Sequence, residues 1–286
     1  MRILIDQCMG CGNCMSHCPK HLLRLSDDHN QRGVRHLMNI DPQSCIDCGI
    51  CELMCTAGAI ITKNNSGHDL IDPDRIPPHS GCYLGSLTKA LADVIKELDI
   101  QKDVVIFKVK ASDVNLKVEI HDYIEGDHFI DGLKYKKEHP GKIVIIITSS
   151  SKVLSTAKNE ERLLSLTDEN VTILNTLNYF ESDPEYTTVT KGGSRILETL
   201  ASKHQASYLS RGSVRSPKQM RQLEKSLKTA LTKQINHEPF NVVEIVFPCF
   251  YRLASRPQTL MKYEEISKIN HWFDENLAKQ YQEFEA

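Results

Sequence analysis

The chain has 286 residues, of which 40% are hydrophobic, 25% charged and 6% aromatic, with a formal net charge of −2. That length fits two domains, one of them large enough for a sizeable core, and the composition is that of an ordinary soluble protein. Near-neutral charge with scattered basic residues gives no electrostatic case for nucleic acid, and the strongest apolar run, residues 143–147, is far too short to span a bilayer.

The first residues are too few and too soon charged, at Asp6, for a secretory apolar region, so a cytoplasmic protein with no membrane association is expected. Residues 3–5 and 22–25 read as short strands flanking a first cysteine run at Cys8, Cys11, Cys14 and Cys18. Residues 38–40 and 59–62 repeat that role around a second run at Cys45, Cys48, Cys51 and Cys55. The polar, glycine-bearing stretch 26–33 between them reads as a hairpin loop. All four cysteines of the first run map onto the second at one offset of 37 residues, so the segment is an internal repeat.

Both runs have the spacing C-x2-C-x2-C-x3-C, in which three thiolates hold one [4Fe–4S] cube and the fourth crosses to the other cube. On that rule Cys8, Cys11, Cys14 and Cys55 hold one cluster, and Cys45, Cys48, Cys51 and Cys18 hold the second. Zinc sites want pairs of cysteines rather than quartets, and a disulfide framework belongs to exported proteins. On these motifs, residues 1–65 resemble the two-[4Fe–4S] ferredoxin family. Thr56 departs from the pattern, standing where the first run has Pro19, which is expected to trim rigidity without removing a ligand.

Residues 66–80 carry Pro73, Pro77 and Pro78 among polar residues and read as a linker. From 81 to 286 the pattern alternates. Helices are expected at 84–98, 129–137, 153–166, 195–203 and 217–235, and strands at 104–109, 142–148, 171–174, 206–209 and 242–247. Strands that are continuous apolar runs between helices predict a mainly parallel sheet flanked by helices on both faces. The expected fold class is therefore α/β: a ferredoxin-like two-cluster domain followed by a larger α/β domain. A last amphipathic helix, with Tyr263, Ile266, Ile269, Phe273, Leu277 and Phe284 on one face, is expected to pack on that domain.

Gly81-Cys82 before a long helix, Pro140-Gly141-Lys142 entering an apolar strand, Glu169-Asn170, and Asn241 to Cys249 recur in a shared order. On them, residues 81–257 resemble the β subunit of 2-oxoacid:ferredoxin oxidoreductases, the thiamine-diphosphate-binding half of those enzymes. The resemblance implies a Gly-Asp-Gly turn and an Asn-Asn pair that hold thiamine diphosphate through Mg²⁺. Aligned without gaps, the turn falls on Ser149, Ser150 and Ser151 and the pair on Leu177 and Asn178. Ser150 then removes an anionic oxygen from a hard cation, and Leu177 has no ligand atom. The family's own additional cluster finds only Cys82 and Cys249, with His79 as a conceivable third ligand, and Leu84 stands where the family has a histidine beside the diphosphate.

The expectation is an iron–sulfur electron-transfer subunit of an anaerobic oxidoreductase, partnered by an α-like subunit and by a redox donor or acceptor protein. Thiamine diphosphate, Mg²⁺ and catalytic residues of its own are expected to be absent, the alternative being a catalytic thiamine-dependent β subunit. Cys82 and Cys249 are read as small buried apolar side chains before ligands. Residues 149–152 are read as a helix cap and solvated turn, or as an anion site built on Lys152 and the helix N-terminus.

Overall fold

In the computed structural model the described residues are 1–63, 67–73, 82–109, 114–123, 127–149, 163–178, 197, 200–201, 206–214 and 216–247. The duplication is visible at once in the N-terminal part. Gly12 (φ 76°) precedes a one-turn helix α1 (Asn13–Ser16), and Gly49 (φ 77°) precedes α2 (Ile50–Leu53) at the same offset. Left-handed backbone there is what lets each chain turn sharply from its second cysteine into a helix carrying the third. Antiparallel pairs close the two ends: β1 (Arg2–Ile3) with β4 (Ile60–Ile61), and β2 (Leu23–His29) with β3 (Arg35–Asn39).

The larger part follows with α3 (Leu84–Glu97), β5 (Val104–Val109), β6 (Glu119–Tyr123), α4 (His128–Glu138), β7 (Ile143–Ser149), β8 (Thr172–Asn178), β9 (Tyr208–Ser213), α5 (Pro217–Ile235) and β10 (Asn241–Phe247). Six strands form one sheet in the order β6-β5-β7-β8-β10-β9, and every pairing in it is parallel. One face packs Val104, Ile106, Ile145, Ile147, Leu174, Val243 and Ile245 against α3 and α5. The other buries Val105, Phe107, Ile146, Ile173 and Val242, with Phe129 of α4. The chain is thus α/β, with helices on both faces of a parallel sheet. Among the expected elements, most of 153–166 and 195–203 and all of the C-terminal helix lie outside the described residues.

The two parts share a core. Met54, fully buried, belongs to the same apolar cluster as Leu87, Leu91 and Val94 of α3, with Ile50 and Leu53 packed against it. A Cβ on Gly85, in the first turn of α3, would collide with the Thr56 carbonyl, so only glycine permits this approach. Within the connection, residues 67–73 lie against the larger part. Gly67 donates to Asp93 Oδ1 at 2.9 Å, Leu70 is buried, and Ile71 bridges to Leu116.

Candidate metal centre

The cysteines sit where the repeat bends, at the ends of α1 and α2, and the fold gathers them into two groups. Cys8, Cys11 and Cys55 are near enough to Cys14 that their charges, added to its burial, push the Cys14 thiol well above its ordinary pKa. Burial first, then its neighbours, pushes the Cys55 thiol up to about 12. Cys51 is likewise raised to about 12, by burial and then by Cys48, Cys18 and Cys45. The fold therefore brings together Cys8, Cys11, Cys14 and Cys55, and separately Cys18, Cys45, Cys48 and Cys51. Cys14 also senses Cys51, so the two groups adjoin.

Four thiols held this close, three of those in the first group buried, cannot all ionise unless something cationic sits among them. An iron–sulfur core is such a charge, and the surroundings fit it. Leu37 N and Gly10 N donate to Cys8 Sγ at 3.3 and 3.5 Å, and Ala59 N donates to Cys55 Sγ at 3.2 Å. Cys18, Cys45, Cys48 and Cys51 line a common cavity with Leu23, Ile46 and Met1. Asn30 fixes the first loop by donating to the Ile5 and Cys8 carbonyls at 2.8 and 2.9 Å. Asn13 ties the halves, donating to the Met54 carbonyl at 2.8 Å. None of the nine described cysteines is in a disulfide.

Cys82 is partly buried against the core below α3, and Leu84 is buried in that helix. Ser149 ends β7 and is in register with Thr176, while Leu177 and Asn178 end β8. The fold thus sets these positions side by side at the carboxyl end of the sheet. His79, Ser150 to Lys152 and Cys249 lie outside the described residues.

Two polar constructions escaped the sequence reading. Lys89 of α3, only 3% exposed, lies 3.3 Å from Glu52 Oε1 and 2.5 Å from Asp93 Oδ2. Across the sheet, one row carries Thr148, Asn175, Glu244 and Arg211 in register, linked by Thr148 Oγ1 to Asn175 at 3.3 Å, Asn175 Nδ2 to Glu244 at 3.1 Å, and an Arg211–Glu244 ion pair. The available signal was a lysine inside an apolar helix stripe, and polar residues ending apolar strands.

An uncharacterised ferredoxin of Methanocaldococcus jannaschii is 35% identical over 102 residues, which cover 34% of this chain and 61% of the relative. The matched stretch thus spans less than two thirds of that protein's length. A 2-oxoglutarate:ferredoxin oxidoreductase from Magnetococcus marinus, solved with 2-oxoglutarate, coenzyme A and succinyl-CoA bound, is 14% identical with a TM-score of 0.48, over 65% of this chain and 69% of that one. Among the described residues no helix is long and apolar enough to cross a membrane. Residues 7–59 match the family model of the 4Fe-4S dicluster domain.

Proposed function

We propose that the chain is an electron-transfer subunit that holds two [4Fe–4S] clusters, one on Cys8, Cys11, Cys14 and Cys55 and the other on Cys18, Cys45, Cys48 and Cys51. The observation that carries this is the gathering of eight cysteines into two adjoining groups of four, with Cys11, Cys14 and Cys55 in one and Cys51 in the other driven up by burial. When bound, the clusters supply one-electron redox capacity and the protein supplies binding, access and potential. Burial keeps water from Cys8, Cys14 and Cys55, and the amides of Leu37, Gly10 and Ala59 offset charge on Cys8 and Cys55. The adjoining of the two groups gives an electron a short step between them.

On the sequence resemblance, the α/β domain is that of a 2-oxoacid:ferredoxin oxidoreductase β subunit that no longer holds thiamine diphosphate or Mg²⁺. It docks the chain to an α-like subunit in a cytoplasmic complex of a low-oxygen cell, and electrons leave or enter through a redox donor or acceptor protein. The supporting observation is chemical: serine and leucine stand at positions where the cation needs an anionic oxygen and an amide.

The test is iron, sulfide and thiamine content of protein purified without oxygen together with the partners it retains. About eight irons per chain without thiamine is the expected result. Stoichiometric thiamine with about twelve irons would instead mark a working catalytic subunit.

A further inference from the structure

Glu52 is an unusual residue in the repeat. It follows Cys51 directly, is 3% exposed, and at the offset of 37 its counterpart in the first half is Met15. One of its oxygens accepts from Thr62 N at 2.9 Å and from Thr62 Oγ1 at 2.5 Å. The other meets Lys89 Nζ at 3.3 Å. Lys89 comes from the α/β domain, is itself 3% exposed, and is held by Asp93 Oδ1 and Oδ2 at 2.6 and 2.5 Å. A cation this deeply buried, in a cleft that Cys48 also lines, costs desolvation that only a structured set of partners offsets.

We propose that Lys89 is the residue through which the α/β domain sets the reduction potential of the cluster held by Cys18, Cys45, Cys48 and Cys51, an inference that rests on the electron-transfer reading above. Reduction adds one electron from a one-electron donor protein. No bond forms or breaks and no proton moves, so the added negative charge is met by charges already in place. In the cleft between α2, α3 and α5 those are Glu52, next to Cys51 in the chain, Lys89, Asp93, Lys96 and Glu97 on α3, and Arg221 and Glu224 on α5, with Lys96 more exposed than Lys89 and paired with Asp69. Lys89 is the buried cation of this set, and low local dielectric makes its field felt farther than that of the exposed Arg221. Met15 gives the first half no matching carboxylate, so the two clusters, alike in their ligands, are made unequal.

The experiment is an EPR-monitored redox titration of the full chain at one fixed, mildly alkaline pH. Lys89→Gln is expected to make the second cluster about tenfold harder to reduce, a shift of about 59 mV for one electron, and to leave the first cluster's wave in place. Asp93→Asn, which removes a negative charge from the same set, is expected to shift that wave the opposite way and keeps the test available if Lys89→Gln fails to fold. Lys89→Arg is expected to restore most of the wild-type potential. Cys48→Ser identifies the second cluster's wave by its loss. Unchanged potentials in folded Lys89→Gln or Asp93→Asn protein, or equal shifts of both waves, would overturn the proposal. Absence of cluster signals from the wild-type chain would instead remove the electron-transfer reading beneath it.

Discussion

Thr56 shows how a single residue can serve both halves of a molecule. In place of the proline of the first run it brings a hydroxyl 3.9 Å from Cys11 Sγ, while its carbonyl faces Gly85 across the domain junction. Glu224 of α5 lines the cleft that Cys48 and Glu52 share with α3. Burial first, then the negative charge of Asp93, raises its carboxyl from the ordinary 4.5 to about 7, against the pull of Lys89 and Arg221. A carboxyl raised in the folded state adds stability below its unfolded pKa and loses it as pH climbs through the folded one. Between about pH 4.5 and pH 7, therefore, the protein should lose stability on this account. Glu224→Gln, neutral throughout, should flatten that part of a denaturant-midpoint against pH profile; a variant with the wild-type slope would exclude the effect. The eight cysteines were legible because their chemistry is written in local spacing. Glu52 and Lys89 were not, because what pairs them is a contact between residues 37 positions apart on different elements.

At the level of elements, α3 carries the junction. Its first turn touches the segment after Cys55, and its middle supplies Leu87 and Leu91 to the shared core. Gly85→Ala should force the two apart and cost about 1–3 kcal/mol, readable as a lower denaturation midpoint. If the midpoint is unchanged, the approach is not as close as described. Helix α5 and strand β5 begin and end where periodicity placed them, since Pro217 marks the first turn and Val104 to Val109 is an unbroken apolar run. Strand β6 escaped notice because Glu119, His121 and Asp122 on an edge strand leave no apolar run to read. Strands β8 and β9 run past their predicted ends through Asn175 and Arg211, whose burial in the polar row no local pattern announces.

For the whole molecule, the ferredoxin part is built in rather than tethered. Met54 and the residues around it are core for α3 and α5 as much as for the cluster loops. Removing iron with a chelator under oxidising conditions should therefore lower the melting temperature of the entire chain and speed amide exchange in α3. Unfolding of the N-terminal part alone, with α3 still protected, would contradict this. The same shared core has a consequence in the order of synthesis. Ile50, Leu53 and Met54 leave the ribosome long before residues 217–235, which complete the surface they rest on. Until α5 emerges, a chain whose iron is already in place still shows an apolar flank to its surroundings. Its maturation then depends on whatever shields that flank in the interval, and a shortened chain ending before Pro217 should be prone to aggregate even with full metal supply.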